Sequence, residues 1–421
     1  MKNNRKNPYE TRVVVTGLGT VNPIGNTVED YWDNLVKGKS GVRISRNVDV
    51  SDYNIKIAAE VDLPDLTPYF KFKKMIKRLD RYVILAHIAG TQAVQSSGLD
   101  TSLNTHRYGS LIGTGDGGLE TQIDTISKIK DEGMQATSPY YVVSTIPSTA
   151  SAFLAKEYNL QGPSFSVNSA CSTGNIAFAM SAMLIKMGFA DVMFAGGSEA
   201  VINSVGLSGF GNIMALSDRN DSPETASRPF DADRNGFVLG EGAGVICLEE
   251  LEHAKKRKAH IICELTGVGF SCDAYDLVAP HPDAKGTIAA MRNAIDDAGL
   301  NPEDVSLINA HGTSTPMGDR IESNAINMVF GEYGAKIPTH STKSMTGHLL
   351  GGASAIEAVA IAQVFEKSVI HPSINLFRKD PGINLNIITE PRENNHVKHV
   401  LSNAFGFGGQ NCSVIFSKFE G

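Results

Sequence analysis

Arg12-Val-Val-Val-Thr-Gly-Leu-Gly19 and, in the second half of the chain, Ile261-Ile-Cys-Glu-Leu-Thr-Gly-Val-Gly269 follow one pattern: an apolar run closing on Thr-Gly-x-Gly. Each predicts a buried strand that ends in a glycine turn. A second echo follows. Residues 164–168 form a short strand-like run that leads through Ala170-Cys-Ser-Thr-Gly174 into an apolar helix at 175–187. Ser341-Thr-Lys-Ser-Met-Thr-Gly-His348 leads in the same way into residues 349–365, rich in Ala, Val and Ile. Strand, turn and helix recur in one order, which predicts a duplicated α/β fold. The basic run at 255–258 marks the seam, giving a first half over 11–258 and a second over 259–418. Further helices are expected at 27–37, 75–97, 287–298 and 319–330, with mostly buried sheets between helical layers.

Among 421 residues, 42% are hydrophobic and 20% charged, enough apolar material for a large core. A net charge of -7 argues against nucleic acid as the partner, because phosphate binding needs a basic surface. The five cysteines (Cys171, Cys247, Cys263, Cys272 and Cys412) are scattered and form no CxxC, so neither a disulfide framework nor a zinc site is expected. They fit a reducing, cytoplasmic setting. No apolar run is long enough to insert into a membrane. Thr16-Gly-Leu-Gly-Thr-Val-Asn-Pro-Ile-Gly25 lacks the GxGxxG spacing of a dinucleotide site, and Pro23 would interrupt the helix start.

Three residues stand out chemically. Cys171 lies at a strand-to-helix junction, where the positive end of the helix dipole is expected to lower the thiol pKa. Small neighbours leave room for a carbonyl to approach; the alternative is a packed core cysteine. His311, in Ile308-Asn-Ala-His-Gly-Thr-Ser-Thr-Pro-Met-Gly-Asp319, and His348 each sit where an apolar strand opens into a loop. Strand ends are where α/β folds gather their sites. Two such histidines with a helix-tip cysteine make a candidate nucleophilic centre.

Those three segments, with Asn403-Ala-Phe-Gly-Phe-Gly-Gly-Gln-Asn411, resemble the signatures of the β-ketoacyl-[acyl-carrier-protein] synthases, most closely the elongating synthase II type. Ala195-Gly-Gly-Ser-Glu199, Ser227-Arg-Pro-Phe-Asp231 and Gly236-Phe-Val-Leu-Gly-Glu-Gly-Ala-Gly244 are similar to family stretches as well. The resemblance implies a thiolase-like α-β-α-β-α five-layer fold, a homodimer, acyl-carrier protein as partner, and neither metal nor organic cofactor. It implies that Cys171 becomes acylated and that His311 and His348 stabilise an enolate. Lys343, paired with Glu357, would support the site electrostatically, and Phe407 would gate it. Thr313 and Thr315 would bind the pantetheine arm, unless they only cap the turn; Phe405 and Phe210 would line the substrate site. The basic stretch Lys71 to Arg81 is expected to be helical, with Lys73, Lys74, Lys77, Arg78 and Arg81 on a face that docks the acidic carrier. A plain solvated face is the alternative.

Asp116 and Tyr141 depart from the family pattern. They stand where an apolar residue and a phenylalanine are common at the end of the acyl tunnel. An unpaired carboxylate there is costly, so Asp116 is expected to hydrogen-bond Tyr141 or a neighbour. These two residues leave open a ketosynthase of a polyketide or polyene pathway. A non-catalytic chain-length-factor subunit would lack Cys171. Gln410 and Cys412 also differ, without a functional account.

Overall fold

The computed structural model describes residues 7, 8, 10–393 and 396–421. Its main strands are β1 (Val13–Val21), β2 (Tyr108–Gly113), β3 (Ser164–Phe165), β4 (Val192–Glu199), β5 (Gly242–Glu250), β6 (Cys263–Cys272), β7 (Leu307–Asn309), β8 (Pro338–His340), β9 (Asn386–Ile387), β10 (His399–Gly406) and β11 (Gln410–Lys418). The helices that cover them are α1 (Val28–Val36), α2 (Arg81–Ser97), α3 (Thr149–Tyr158), α4 (Thr173–Lys186), α5 (Lys285–Asp297), α6 (Pro316–Phe330) and α7 (Ala353–Lys367).

The strands form one ladder, β9-β8-β7-β10-β11-β6-β1-β5-β4-β2-β3. Its centre is thin: β1 and β6 meet at only two residue pairs, Val14 with Glu264 and Val15 with Cys263. Outward from that joint the pairing repeats. β1-β5-β4 run antiparallel and β4-β2-β3 parallel. On the other side β6-β11-β10 run antiparallel and β10-β7-β8 parallel. Helices α2 and α3 cover the outer face of the first half-sheet, and α5 with α6 covers that of the second. Between the half-sheets lie α4 and α7, which touch strands of both. Every residue of α7 from Ala353 to Val364 is buried, as expected of a mostly apolar helix enclosed by two sheets. The layers are α-β-α-β-α, the arrangement the resemblance implies.

The glycine turns expected after Thr16 and Thr266 do not occur. β1 runs on through Gly17 and Gly19 to Val21, and β6 through Gly267 and Gly269 to Cys272. The glycines serve helix approach instead. A Cβ on Gly19 would lie 1.9 Å from the Ala89 carbonyl oxygen of α2, and one on Gly269 would lie 2.1 Å from that of Ala290 in α5. Equivalent strands of the two halves thus carry the same close contact.

The helix expected at 75–97 begins only at Arg81, because the Asp80 carboxylate accepts from the Tyr82 N–H at 3.1 Å and caps it there. Lys73–Met75 is a separate 3₁₀ turn. The expected strand at 164–168 shrinks to two residues. Among the described residues no helix is long and apolar enough to cross a membrane.

Candidate active site

Cys171 lies on a 3₁₀ turn, Ala170–Ser172, directly ahead of α4. Ala170 adopts a left-handed φ of 49°. That is a costly conformation for a residue with a Cβ, and it turns the chain sharply from the extended segment ending at Ser169 into the helix. His311 follows β7. Its backbone N–H and that of Gly312 both donate to the Glu322 carboxylate at 2.8 Å, while Asn403 donates to the same group at 3.1 Å. His348 is held by its backbone: its N–H donates to the Val238 carbonyl at 2.7 Å and its carbonyl accepts from Gly240 at 2.9 Å. The Gly236–Gly244 stretch is therefore the strap on which His348 sits. Phe237 from the same stretch presents its ring edge-to-face to the imidazole, with centroids 5.2 Å apart.

The three groups converge. The sulfur of Cys171 and nitrogens of His311 and His348 all lie within 4.8 Å of one another. The two imidazoles are nearly perpendicular, with centroids 5.4 Å apart. All three line a cavity of about 340 Å³, with Thr313, Thr315, Phe405 and Phe407. Thr315 has a double task, because its hydroxyl also caps α6 by accepting from Gly318 at 3.2 Å; it lies 3.1 Å from that of Thr313. Phe210 stacks on Phe407 at 6.2 Å. Behind the histidines, Lys343 and Glu357 form a fully buried ion pair, and Asn309 donates to the second Glu357 oxygen at 3.1 Å.

Burial, followed by the Lys343 charge, holds His348 well below the ordinary imidazole pKa; burial, Lys343 and His348 do the same to His311. Both rings are neutral at pH 7. The tautomer of His348 follows from its contacts. Its Nδ1 accepts from the Leu350 N–H at 3.3 Å, so the proton is on Nε2, which has no partner among the described residues. A Cys-His-His triangle of this size suggests a metal site, but a protonated Nε2 has no lone pair for an ion, and metal-bound histidines donate from the opposite nitrogen. The arrangement suits hydrogen-bond donation.

The thiol departs from expectation. Burial pushes Cys171 up to about 12, outweighing the nearby Lys343 charge and the Phe407 N–H that faces the sulfur. The sequence shows the helix tip but not the apolar cluster of Val201, Leu207, Leu216 and Leu239 around it. At rest the Cys171 thiol is neutral.

Three expected substrate residues do not line the cavity: Phe210 adjoins it through its stack on Phe407, and Asp116 and Tyr141 stand apart. Among the described residues the hydrogen bond expected of the Asp116 carboxylate, to Tyr141 or to a neighbour, is absent; Asp116 is exposed, and only partial desolvation raises its carboxyl. The docking face also changes. Lys73, Lys74 and Lys77 are exposed. Arg78 stacks 4.4 Å above Tyr140, and Arg81 turns inward to a bidentate pair with Glu241 at 2.6 and 2.7 Å. Sequence reading missed Glu322, Glu199, Phe237 and Asn309. Of these only Glu322 fell outside the stretches already quoted.

The family described as "Beta-ketoacyl synthase, N-terminal domain" matches residues 10–254, and its C-terminal counterpart matches residues 262–377. The 3-oxoacyl-[acyl-carrier-protein] synthase 2 of Coxiella burnetii is 42% identical over 97% of this chain and 98% of that protein. The protein of the same name from Synechocystis is 42% identical over 98% of this chain and 100% of its own. Among solved structures, a type II polyketide ketosynthase in complex with its acyl-carrier protein superposes with a TM-score of 0.90 at 32% identity, over 97% of this chain and 100% of that one. A β-ketoacyl synthase from Burkholderia phymatum gives the same three values and the same full coverage of its own chain.

Proposed function

This chain belongs to the β-ketoacyl synthase family, and from that membership we infer that it elongates fatty acids by decarboxylative Claisen condensation. The observation that carries the residue assignment is the meeting of one thiol and two neutral imidazoles at the wall of a single cavity. In the first stage the Cys171 sulfur attacks the carrier-bound thioester. The carrier's C–S bond breaks, and the thiol proton ends on the departing pantetheine sulfur. The N–H groups of Cys171 and Phe407 form the oxyanion hole. In the second stage malonyl-carrier protein loses CO₂, and the electron pair of the broken C–C bond forms an enolate. His348 Nε2–H donates to its oxygen, with His311 alongside. The carbanion displaces Cys171 from the acyl carbonyl, and the thiolate takes one proton from solvent. No metal and no organic cofactor enters these steps. Thr313 and Thr315 bind the pantetheine arm, Phe407 gates the cysteine, and Phe405 and Phe210 flank the substrate.

Lys73, Lys74, Lys77 and Arg78 dock the acidic acyl-carrier protein. The halves 11–258 and 259–418 are repeats of one unit, supported by their matching strand order. The enzyme is a homodimer: the ladder ends on β3 with an open edge, and Ile126, Val142 and Val143 are exposed on the same half. Five free cysteines suit the cytoplasm.

The test is mass spectrometry after incubation with acyl-carrier protein loaded with an acyl group. An acyl adduct on Cys171 that is absent from Cys171→Ala supports the assignment; an adduct elsewhere overturns it. A second reading, a polyketide or polyene ketosynthase, is supported by the 32% identity of this chain to a type II polyketide ketosynthase. Full activity on C14–C16 primers excludes it.

A further inference from the structure

Glu199 ends β4 with its carboxylate wholly buried and both oxygens fully engaged. One oxygen accepts from the Thr114 hydroxyl at 2.9 Å and the Asp116 N–H at 3.2 Å; the other accepts from Gly115 at 2.8 Å and Gly351 at 3.0 Å. The first three donors belong to the loop after β2. The fourth lies three residues beyond His348. Two glycines make room for this approach: a Cβ on Gly115 or on Gly351 would stand 2.7 or 2.8 Å from the same carboxylate oxygen.

Between His348 and Gly351 lies Leu350, at a left-handed φ of 45°. A residue with a side chain holds that conformation only where its surroundings impose it. In this conformation the Leu350 N–H reaches His348 Nδ1 and leaves the ring proton on Nε2, facing the substrate cavity.

We propose that Glu199 is a positioning residue for the condensation step: by anchoring the Gly351 N–H it holds the strained Leu350 turn, and the Leu350 N–H fixes the His348 tautomer that donates to the enolate. Without the anchor Leu350 relaxes to an ordinary φ, its N–H leaves Nδ1, and the ring proton divides between the two nitrogens. The inference rests on the assignment of His348 to the second stage. Cys171 acylation belongs to the first stage and does not need that proton.

The experiment compares the half-reactions in Glu199→Gln, whose amide turns a donor toward donors. Decarboxylation of malonyl-carrier protein is expected to fall at least about tenfold while Cys171 acylation stays within about threefold. In protein labelled with ¹⁵N-histidine, the His348 signal, assigned by its loss in His348→Asn, is expected to move from a pure Nε2–H tautomer to a mixture. Gly351→Ala pushes on the same turn with Glu199 intact and is expected to give the same split; it decides the matter if Glu199→Gln does not fold. Equal loss of both half-reactions, no loss of either, or an unchanged His348 signal overturns the proposal. Failure of Cys171 to acylate in the unaltered enzyme instead overturns the functional reading beneath it.

Discussion

Lys343 places a positive charge beside three groups that it affects in a shared direction. It disfavours a proton on His311 and on His348, and it favours the Cys171 thiolate. Glu357 compensates the lysine without reaching the imidazoles, so the charge is buried but not cancelled where it acts. Replacing both partners, Lys343→Met with Glu357→Gln, removes the charge and leaves no ion unpaired. Both imidazole pKa values then rise, while burial, the larger cause, still holds them below 6.5. The acid limb of malonyl-carrier decarboxylation is expected to move to higher pH than in the unaltered enzyme, because protonation charges the donors and disturbs the Nε2–H geometry. A pH–rate profile of decarboxylation checks this, and identical profiles refute the assigned role of Lys343.

At the scale of elements, the two half-sheets depend on helices that lie almost on the strand backbone. Gly19→Ala and Gly269→Ala each drive a methyl into a helix carbonyl, at 1.9 and 2.1 Å. Each is expected to destabilise by about 3 kcal/mol or more, the upper range for overpacking, with a lowered thermal midpoint by calorimetry. Gly98→Ala is a control for glycine replacement alone, since nothing lies within 4 Å of its Cβ position, though its φ of 60° adds modest strain. The same glycines show what a sequence can convey. Their recurrence signals the repeat, but a glycine that admits a helix and a glycine that turns a chain look alike until the third dimension is known. That Cys171, His311 and His348 could meet was legible because their loops carry short local patterns. Glu322 was not, since its meaning lies in Asn403 and in the amides of residues 311 and 312, contacts no local pattern encodes. The basic stretch misled for a related reason: its helical periodicity continues past Asp80, yet the carboxylate caps the helix there and Arg81 answers to Glu241 across the fold.

Over the whole molecule, acid stability turns on buried groups whose ionisation is opposed in the folded state. His340 and His371 face each other with ring centroids 4.0 Å apart; among the described residues neither His340 nitrogen nor His371 Nε2 has a partner. Burial lowers His371 to about 4 and His340 well below 6.5. Between pH 6.5 and 4 the unfolded chain binds protons that these folded rings refuse, so their contribution to stability is lost as pH falls through that window. Glu199 and Glu322 act in the opposite sense. Burial raises both to about 7, so their contribution is complete below pH 4.5 and is lost as pH rises to 7. The overall curve is therefore flatter than either set alone would make it, and a variant must be compared with its parent across pH. His371→Leu removes one suppressed titration. Whatever the substitution costs at pH 7.5, its stability relative to the parent is expected to improve by about 3 kcal/mol on going to pH 4, the equivalent of a shift from 6.5 to about 4. Urea unfolding of both proteins at intervals across that range measures the difference. A constant difference means that His371 ionises as freely inside the protein as outside it, and that the orphaned nitrogens are solvated.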